Sequence, residues 1–303
     1  MVAGEAVTVH EAGLVRSGGR GSALRERPPR RLPWRHEPDH RTIPSPVDVT
    51  AAPPTAPDAE PRLAGDAAEL RLATGNAAAL WTALAETRRH PVTRRPGFLA
   101  VRGDDRAGLR VLLRTPEPTA DDLVEIAALV REWTEGPVTV EDPFGGADLT
   151  GSGLTPRNLP VMIRPPAPVP APSLRVTPVD DPERLATVER VVVSGFPLSR
   201  LQPYRPGEAF PAALLDRPGV RFLLAEVDGV PAGACLTVRA EVAGLYWMTT
   251  LPEHRSRGVG RALLHAVLAE LAGSPVTLTA SRAGRPLYDS LGFRPVGRAT
   301  WWS

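Results

Sequence analysis

Leu251-Pro252-Glu253-His254-Arg255-Ser256-Arg257-Gly258-Val259-Gly260-Arg261-Ala262-Leu263-Leu264 is the stretch on which the reading of this chain turns. Just before it, Gly244-Leu-Tyr-Trp-Met-Thr-Thr250 is rich in aromatic and β-branched residues and predicts a strand. Just after it, Ala262, Leu263, Ala266, Val267, Ala269 and Leu271 recur at helical spacing. Arg255 to Gly260 is therefore a tight, basic turn from a strand into a helix. The start of a helix presents unpaired backbone N–H groups and the positive end of the helix dipole, which together attract an anion. Gly258 and Gly260 carry no side chain to hold such a group away, and Arg255, Arg257 and Arg261 add positive charge around it. The expected occupant is a phosphate or pyrophosphate.

Two common phosphate loops are excluded. A dinucleotide fingerprint needs a third glycine where this chain has Leu263, with an acidic residue further on. A Walker loop needs a lysine, and the chain has none. The hexapeptide Arg255-Ser-Arg-Gly258-Val-Gly260 instead resembles the Arg/Gln-x-x-Gly-x-Gly/Ala loop of the GNAT (GCN5-related) N-acetyltransferases, which holds the pyrophosphate of acetyl-CoA. Pro252-Glu253 and Leu287-Tyr288-Asp-Ser-Leu-Gly292-Phe293 resemble further signatures of that family at suitable spacing. The resemblance runs from about Leu174 to the C-terminus and implies an α/β fold built on a mixed sheet.

Composition sets wider bounds. The 303 residues suggest about two domains, and 42% apolar residues suffice for packed cores. All 36 basic residues are arginine, which reads as genomic base-composition bias, and a net charge of +2 is too small to argue for a nucleic-acid partner. Cys235 is the only cysteine, so no intrachain disulfide can form, and its apolar strand predicts a buried thiol rather than a nucleophile. No apolar run approaches membrane-spanning length and the N-terminus has no hydrophobic signal core, so the expected compartment is the cytoplasm.

Residues 1–64 are rich in proline and arginine and thin in apolar residues, which predicts a disordered, solvated tail. Its arginines could touch nucleic acid, but acidic residues nearly balance them. A first folded domain is expected over 65–164. It opens with a strand at Glu69-Leu-Arg-Leu-Ala-Thr74 and a helix Ala77 to Arg89 capped by Asn76. Strands near 97–101, 108–113, 138–140 and 159–164 and a helix from Ala120 to Trp133 follow. Pro165-Pro-Ala-Pro-Val-Pro-Ala-Pro172 reads as a semi-rigid polyproline spacer (165–173) leading to the second domain, 174–303.

The two halves echo each other. Ala107-Gly-Leu109 matches Ala243-Gly-Leu245, Pro116-Glu117 matches Pro252-Glu253, and Pro137-Val-Thr139 matches Pro275-Val-Thr277. The order of elements agrees as well, which predicts two tandem GNAT-like domains. The first half departs where chemistry is concerned: Asp121-Asp122 stand near the positions of Gly258 and Gly260, and Thr150 takes the place of Tyr288. Adjacent carboxylates would repel a pyrophosphate, so the first half is expected to lack a cofactor site and to serve as scaffold and part of the acceptor cleft.

The resemblance also implies roles. The backbone of Met248, Thr249 and Thr250 would pair with the pantetheine arm of acetyl-CoA. Arg255, Ser256, Arg257, Gly258, Val259, Gly260, Arg261 and Ala262 would hold its pyrophosphate. Ser281 stands where many relatives have an asparagine that contacts the cofactor. Tyr288 matches the tyrosine that protonates the departing sulfur, and a phenol of pKa about 10 is protonated at neutral pH. The general base is less well marked. Some relatives use a glutamate close to the position of Gly244, so Glu226, Glu241 and Tyr246 remain as candidates. Together these features predict an acetyl-CoA-dependent N-acetyltransferase acting on the primary amine of a small molecule or peptide by direct attack, without a metal. A non-catalytic acetyl-CoA-binding sensor is the alternative. The sequence leaves the acceptor and the oligomeric state open.

Overall fold

The computed structural model describes residues 67–303 apart from Pro197; the tail expected over 1–64 lies outside the described residues. The expected strand at 69–74 and the capped helix after it are a single helix, α1 (Ala67–Arg88). Six residues of alternation do not outweigh a segment this rich in alanine, the strongest helix former. Asn76 is not a cap. It is buried in mid-helix, where its Nδ2 donates to Val238 O (2.9 Å) and Val242 O (2.7 Å) and its Oδ1 accepts from the Tyr246 hydroxyl (2.6 Å). A residue type that favours caps is retained inside a helix by these tertiary bonds.

The first half continues with β1 (Val92–Arg94), β2 (Phe98–Arg102), β3 (Leu109–Leu113), α2 (Ala120–Glu132), β4 (Val138–Asp142) and β5 (Pro156–Arg164). The second comprises β6 (Arg175–Val179), α3 (Pro182–Gly195), β7 (Val220–Val227), β8 (Val230–Arg239), β9 (Ala243–Thr250), α4 (Val259–Glu270), β10 (Val276–Thr279), α5 (Arg285–Ser290) and β11 (Arg294–Trp302). All eleven strands form one mixed sheet in the order β1-β2-β3-β4-β11-β5-β10-β9-β8-β7-β6.

That order exchanges the last strand of each half. β5 pairs with β10 and β11, both from the second half, whereas β11 pairs with β4 and β5, both from the first. The β5–β11 ladder runs from Arg294↔Ile163 to Trp302↔Pro156. The segment between β5 and β6 is also fastened down rather than acting as a free spacer. Buried Arg164 donates from Nε to Leu291 O (2.7 Å) and from Nη2 to Ala167 O (3.1 Å), while Val169 and Leu174 pack on the core beneath α4 and α5.

Strand alternation divides the core into two layers. On β7, Leu223, Ala225 and Val227 face α4, while Phe222 and Leu224 pack in the cluster that includes α3. On β3, Leu109, Val111 and Leu113 join the cluster of α2, while Arg110 points the other way, its guanidinium 3.9 Å from the ring centre of Trp81 on α1. Full burial of each large apolar side chain contributes roughly 1.5–3 kcal/mol. The two layers therefore leave α1 and α3 together on one face of the sheet and α2, α4 and α5 on the other.

Candidate active site

The basic turn leaves β9 through a 3-10 turn at Pro252–His254 and enters α4 at Val259. Ser256 (φ 61°) and Gly258 (φ 82°) are both left-handed. A glycine is the natural residue at the second position, which is the N-cap of α4 and receives no side-chain cap. The first intrahelical bond is Ala262 N–H to Gly258 O (2.9 Å), so the amides of Val259, Gly260 and Arg261 have no intrahelical acceptor.

The two glycines have different jobs, which the sequence did not separate. A side chain at Gly258 would meet open space, with only Ser173 Oγ at 4.0 Å, so its need is conformational. A Cβ at Gly260 would lie 3.1 Å from Leu287 and 3.6 Å from Met248, so its need is the close approach of α4 to β9 and α5. The arginines divide too. Arg257 pairs with Asp228 (3.2 Å) and Arg261 donates to Ser290 Oγ (3.1 Å), while the guanidinium of exposed Arg255 makes no ion pair or hydrogen bond with any described residue.

Next to this turn the sheet splits. Parallel β9 and β10 pair only at Ala243↔Val276 and Gly244↔Thr277, whereas β8 follows β9 as far as Gly233↔Thr250. Among the described residues, one edge of β9 from Leu245 to Thr250 therefore has no strand partner, and its backbone groups line a wedge that opens toward the basic turn. The β8–β9 register slips opposite Cys235, and Trp247 takes up the slip with φ 53°. A positive φ in a non-glycine residue costs on the order of 1–3 kcal/mol and persists where surrounding structure fixes it. Phe196 and Phe210 do so, edge-on to the Trp247 ring at 6.1 and 6.0 Å. Met248, Thr249 and Thr250 thus follow a bulge that re-aims the strand.

Tyr288, on α5, is buried and packs against Phe293 with ring centres 5.8 Å apart. Burial, and then the neighbouring Cys235 thiol, push its phenol up to about 12. Tyr288, Cys235 and Met248 belong to one core layer, beneath the strand that the bulge re-aims. Ser281 lies exposed two residues past the end of β10, and its Oγ accepts from Gly284 N–H (3.1 Å) at the start of α5.

The three base candidates are not brought together. Glu226 lies on β7, two strands from β9 (about 10 Å), and is ion-paired with Arg175 at 3.4 Å. Glu241 is exposed in the β8–β9 turn, at the far end of β9 from Thr250, roughly 25 Å away along the strand. Tyr246 donates to Asn76, and burial followed by the charge of Glu141 raises its phenol well above the usual range, so it is not poised to accept a proton. A glutamate at Gly244 is excluded by packing, since any Cβ there would overlap Asn76 Oδ1 and the Tyr246 ring.

On the α1 face, a cleft runs from Trp247 to the first half of the chain. Its walls include Trp81 and Arg88 of α1, the loop before β3, Arg110, and the segment carrying Arg200 and Glu208. Arg106 ties that segment to the first half, donating to Arg200 O (2.6 Å) and pairing with Glu208 (2.8 Å). Fully buried Glu189 shapes the same segment by accepting from Tyr204 Oη (3.0 Å) and the Phe210 amide (3.0 Å). None of these residues stood out in the sequence, because each is an ordinary arginine or glutamate whose significance comes from a partner far along the chain.

The equivalent region of the first half is closed. Thr119 caps α2 with a full capping box: its Oγ1 accepts from Asp122 N–H (3.1 Å), and Asp122 Oδ2 accepts from Thr119 N–H (3.0 Å). The carboxylate sits against Gly97, where any side chain would overlap it. β3 and β4 pair at all four positions from Leu109↔Val138 to Leu112↔Glu141.

Comparison with known proteins agrees with this geometry. Residues 218–295, which span β7 to the start of β11, match the family model of the acetyltransferase (GNAT) domain. The second half of the chain carries a GNAT domain. Over 78 residues the chain is 45% identical to a mycothiol acetyltransferase of Clavibacter sepedonicus, covering 24% of this chain and 26% of that protein. Over 53 residues it is 51% identical to the mycothiol acetyltransferase of Clavibacter michiganensis subsp. michiganensis, covering 18% and 17%. The chain thus spans about a quarter or less of the length of the curated relatives it matches.

Among solved structures, a GCN5-related N-acetyltransferase from Kribbella flavida is similar with a TM-score of 0.51 at 18% identity, covering 76% of this chain and 95% of that one. A GNAT-family protein from Novosphingobium aromaticivorans is similar with a TM-score of 0.51 at 17% identity, covering 77% and 96%. The shared fold therefore extends across both halves of the described chain. Among the described residues, no group of acidic, histidine or cysteine side chains could hold a metal, and no helix is long and apolar enough to cross a membrane.

Proposed function

We propose that this chain is an N-acetyltransferase that takes an acetyl group from acetyl-CoA and passes it directly to a primary amine. The observation that carries the proposal is the wedge between β9 and β10, which opens beside the uncapped start of α4. The residues fit the cofactor. Amides at Val259, Gly260 and Arg261 suit a pyrophosphate, and the free edge of β9 from Met248 to Thr250 suits the amides of a pantetheine arm. When bound, acetyl-CoA supplies a thioester activated toward acyl transfer.

The remaining steps belong to the protein. The bulge at Trp247 aims backbone N–H groups to where negative charge develops on an acyl oxygen. Tyr288, protonated throughout the neutral range, donates a hydrogen bond at the inner end of the wedge where the sulfur departs. Glu208 takes the proton of the incoming ammonium: its Oε2 is buried in the cleft wall and has no hydrogen-bond partner among the described residues. Attack is direct because Cys235 is fully buried and burial raises its thiol far above the usual range, which suppresses the thiolate a nucleophile needs. The amine arrives through the cleft, so the first half contributes to its binding without holding a cofactor of its own.

The experiment is a screen of amine acceptors that follows CoA release, combined with calorimetry of acetyl-CoA binding. Turnover with at least one primary amine, reduced in Glu208→Gln, is the expected result. Tight cofactor binding with no turnover across the panel would replace the enzyme with an acetyl-CoA-binding sensor.

A further inference from the structure

The cleft that reaches Trp247 holds more guanidinium than its own carboxylates neutralise. Arg106 is matched by Glu208 and Arg110 by Glu141. Arg88 and Arg200 have no carboxylate within ion-pair distance among the described residues. Arg88 donates from Nη2 to Ala209 O, yet its Nε is buried without a partner. Arg200 has a buried, unpartnered Nε as well, and its guanidinium makes no hydrogen bond with any described residue. Burial draws Arg200 down to about 10, and the charges of Arg110 and Arg88 draw it in the same direction. Asp104, the remaining acid on the wall, lies 3.9 Å from His90.

Clustered cations with buried, unsatisfied donors destabilise a free protein unless something arrives to meet them. A structural role does not explain Arg200, since its guanidinium braces none of the described residues. Its backbone carbonyl is what Arg106 holds, and the side chain is left facing the cleft. We infer that the amine acceptor carries its own oxyanion, a carboxylate or phosphate, and that Arg88 and Arg200 bind that group while Trp247 marks the end where the amine reacts. The inference rests on reading this cleft as the acceptor side of an acetyltransferase. The planar fork of a guanidinium, with two N–H groups side by side, suits both kinds of oxyanion.

The test uses the full chain saturated with CoA, so that the turn at Gly258 is already filled and cannot capture the probe. A rise in melting temperature on adding CoA checks the cofactor site separately from the acceptor site. Inorganic phosphate and acetate are then titrated, and O-phosphoethanolamine and β-alanine are compared with ethanolamine and β-alaninamide, which keep the amine and lack the oxyanion. The anionic member of a pair should bind about tenfold or more tightly. Whichever of the phosphate and carboxylate arms gives the larger effect identifies the group.

Arg200→Gln should abolish that preference while raising the melting temperature of the unliganded protein, and Arg200→Lys should retain part of the preference. Loss of preference together with a gain in stability is a pairing that a merely structural arginine would not produce. Equal binding of the members with and without the oxyanion in wild type would overturn the inference, as would anion protection unchanged in Arg200→Gln. Either outcome leaves the acetyltransferase reading standing if neutral amines are still acetylated. Absence of a CoA-induced shift would instead strike that reading.

Discussion

The segments β3-α2-β4 and β9-α4-β10 are the same piece of architecture used in opposite ways. Each is a parallel strand pair joined by a crossover helix, and each begins its ladder with a strand amide bonded to a proline carbonyl: Leu109 to Pro137 O (2.9 Å) and Ala243 to Pro275 O (3.0 Å). In the first half the ladder zips through four positions and the helix start is filled by the Thr119–Asp122 box. In the second it stops after two and the helix starts from a left-handed glycine with no side-chain cap. The two features go together for a physical reason. An open strand edge and an uncapped helix both leave polar groups unpaired, at a cost that is tolerable only where a ligand or solvent meets them. The closed copy meets the polar groups of its strand ladder and helix start from within the chain.

The most damaging way to break this contrast is to close the open copy. Gly258→Glu forces a side chain onto φ 82° and sets a carboxylate beside the helix start, imitating what Asp122 does in the first half. Acetyl-CoA affinity should fall by roughly 100-fold or more, since lost amide contacts and like-charge repulsion together exceed the ~1.4 kcal/mol that makes a factor of ten. Calorimetry on wild type should give one cofactor per chain. Two per chain, or near-normal affinity in the variant, would show that the helix starts are not what distinguishes the halves.

A smaller effect is expected at Tyr288, whose counterpart in the first half is Thr150. Tyr288→Phe keeps the ring against Phe293 and removes only the hydroxyl, so cofactor affinity should hold while kcat drops. Full general-acid catalysis is worth about 10²–10⁴. A phenol near 12 is a weaker acid than the thiol it would create, so a hydrogen bond to the sulfur is the more reasonable contribution and a drop of roughly tenfold is expected. Because that phenol stays protonated up to about pH 12, its donor role adds no inflection to the rate profile between pH 6 and 9. An unchanged kcat in the variant would remove Tyr288 from the mechanism.

The open copy was legible in the sequence because its signals are local. Arg255 to Gly260, the aromatic strand before it and Leu287 to Phe293 each declare themselves within a few residues. The repeat was legible in outline but two residues out of register: matching Ala107-Gly-Leu109 to Ala243-Gly-Leu245 aligns Leu109 with Leu245, whereas the ladder bonds align it with Ala243. The splay of β9 from β10 was implied by the family resemblance alone and had no signal in the residues themselves, since it consists of pairings that are not made. The exchange of β5 and β11 was equally hidden, because a strand's own pattern fixes which face it buries and not which neighbour it joins. Asn76 and Arg200 belong to the same class, each defined by partners, or by their lack, more than a hundred residues away.

The smallest effect tests whether the closed copy is structural alone. Thr119→Ala removes one side of the capping box, a change typically worth ~1 kcal/mol. In a folded unit of this size that corresponds to about 2–4 °C in melting temperature. Asp122→Asn keeps the shape of the box but removes the carboxylate charge from the start of α2, so it should cost less, ~0.3–1 kcal/mol, and the loss should shrink at high salt. Neither change should create a second cofactor site, because β3 and β4 remain zipped and offer no free strand edge to a pantetheine arm. Thermal melts of both variants, with CoA titrations alongside, separate the two ideas. If Asp122→Asn acquires a second CoA per chain, the carboxylate alone was the barrier and the zipped ladder is incidental. If stability falls as expected while the stoichiometry stays at one, the strand edge and the helix start must open together for this architecture to bind its cofactor.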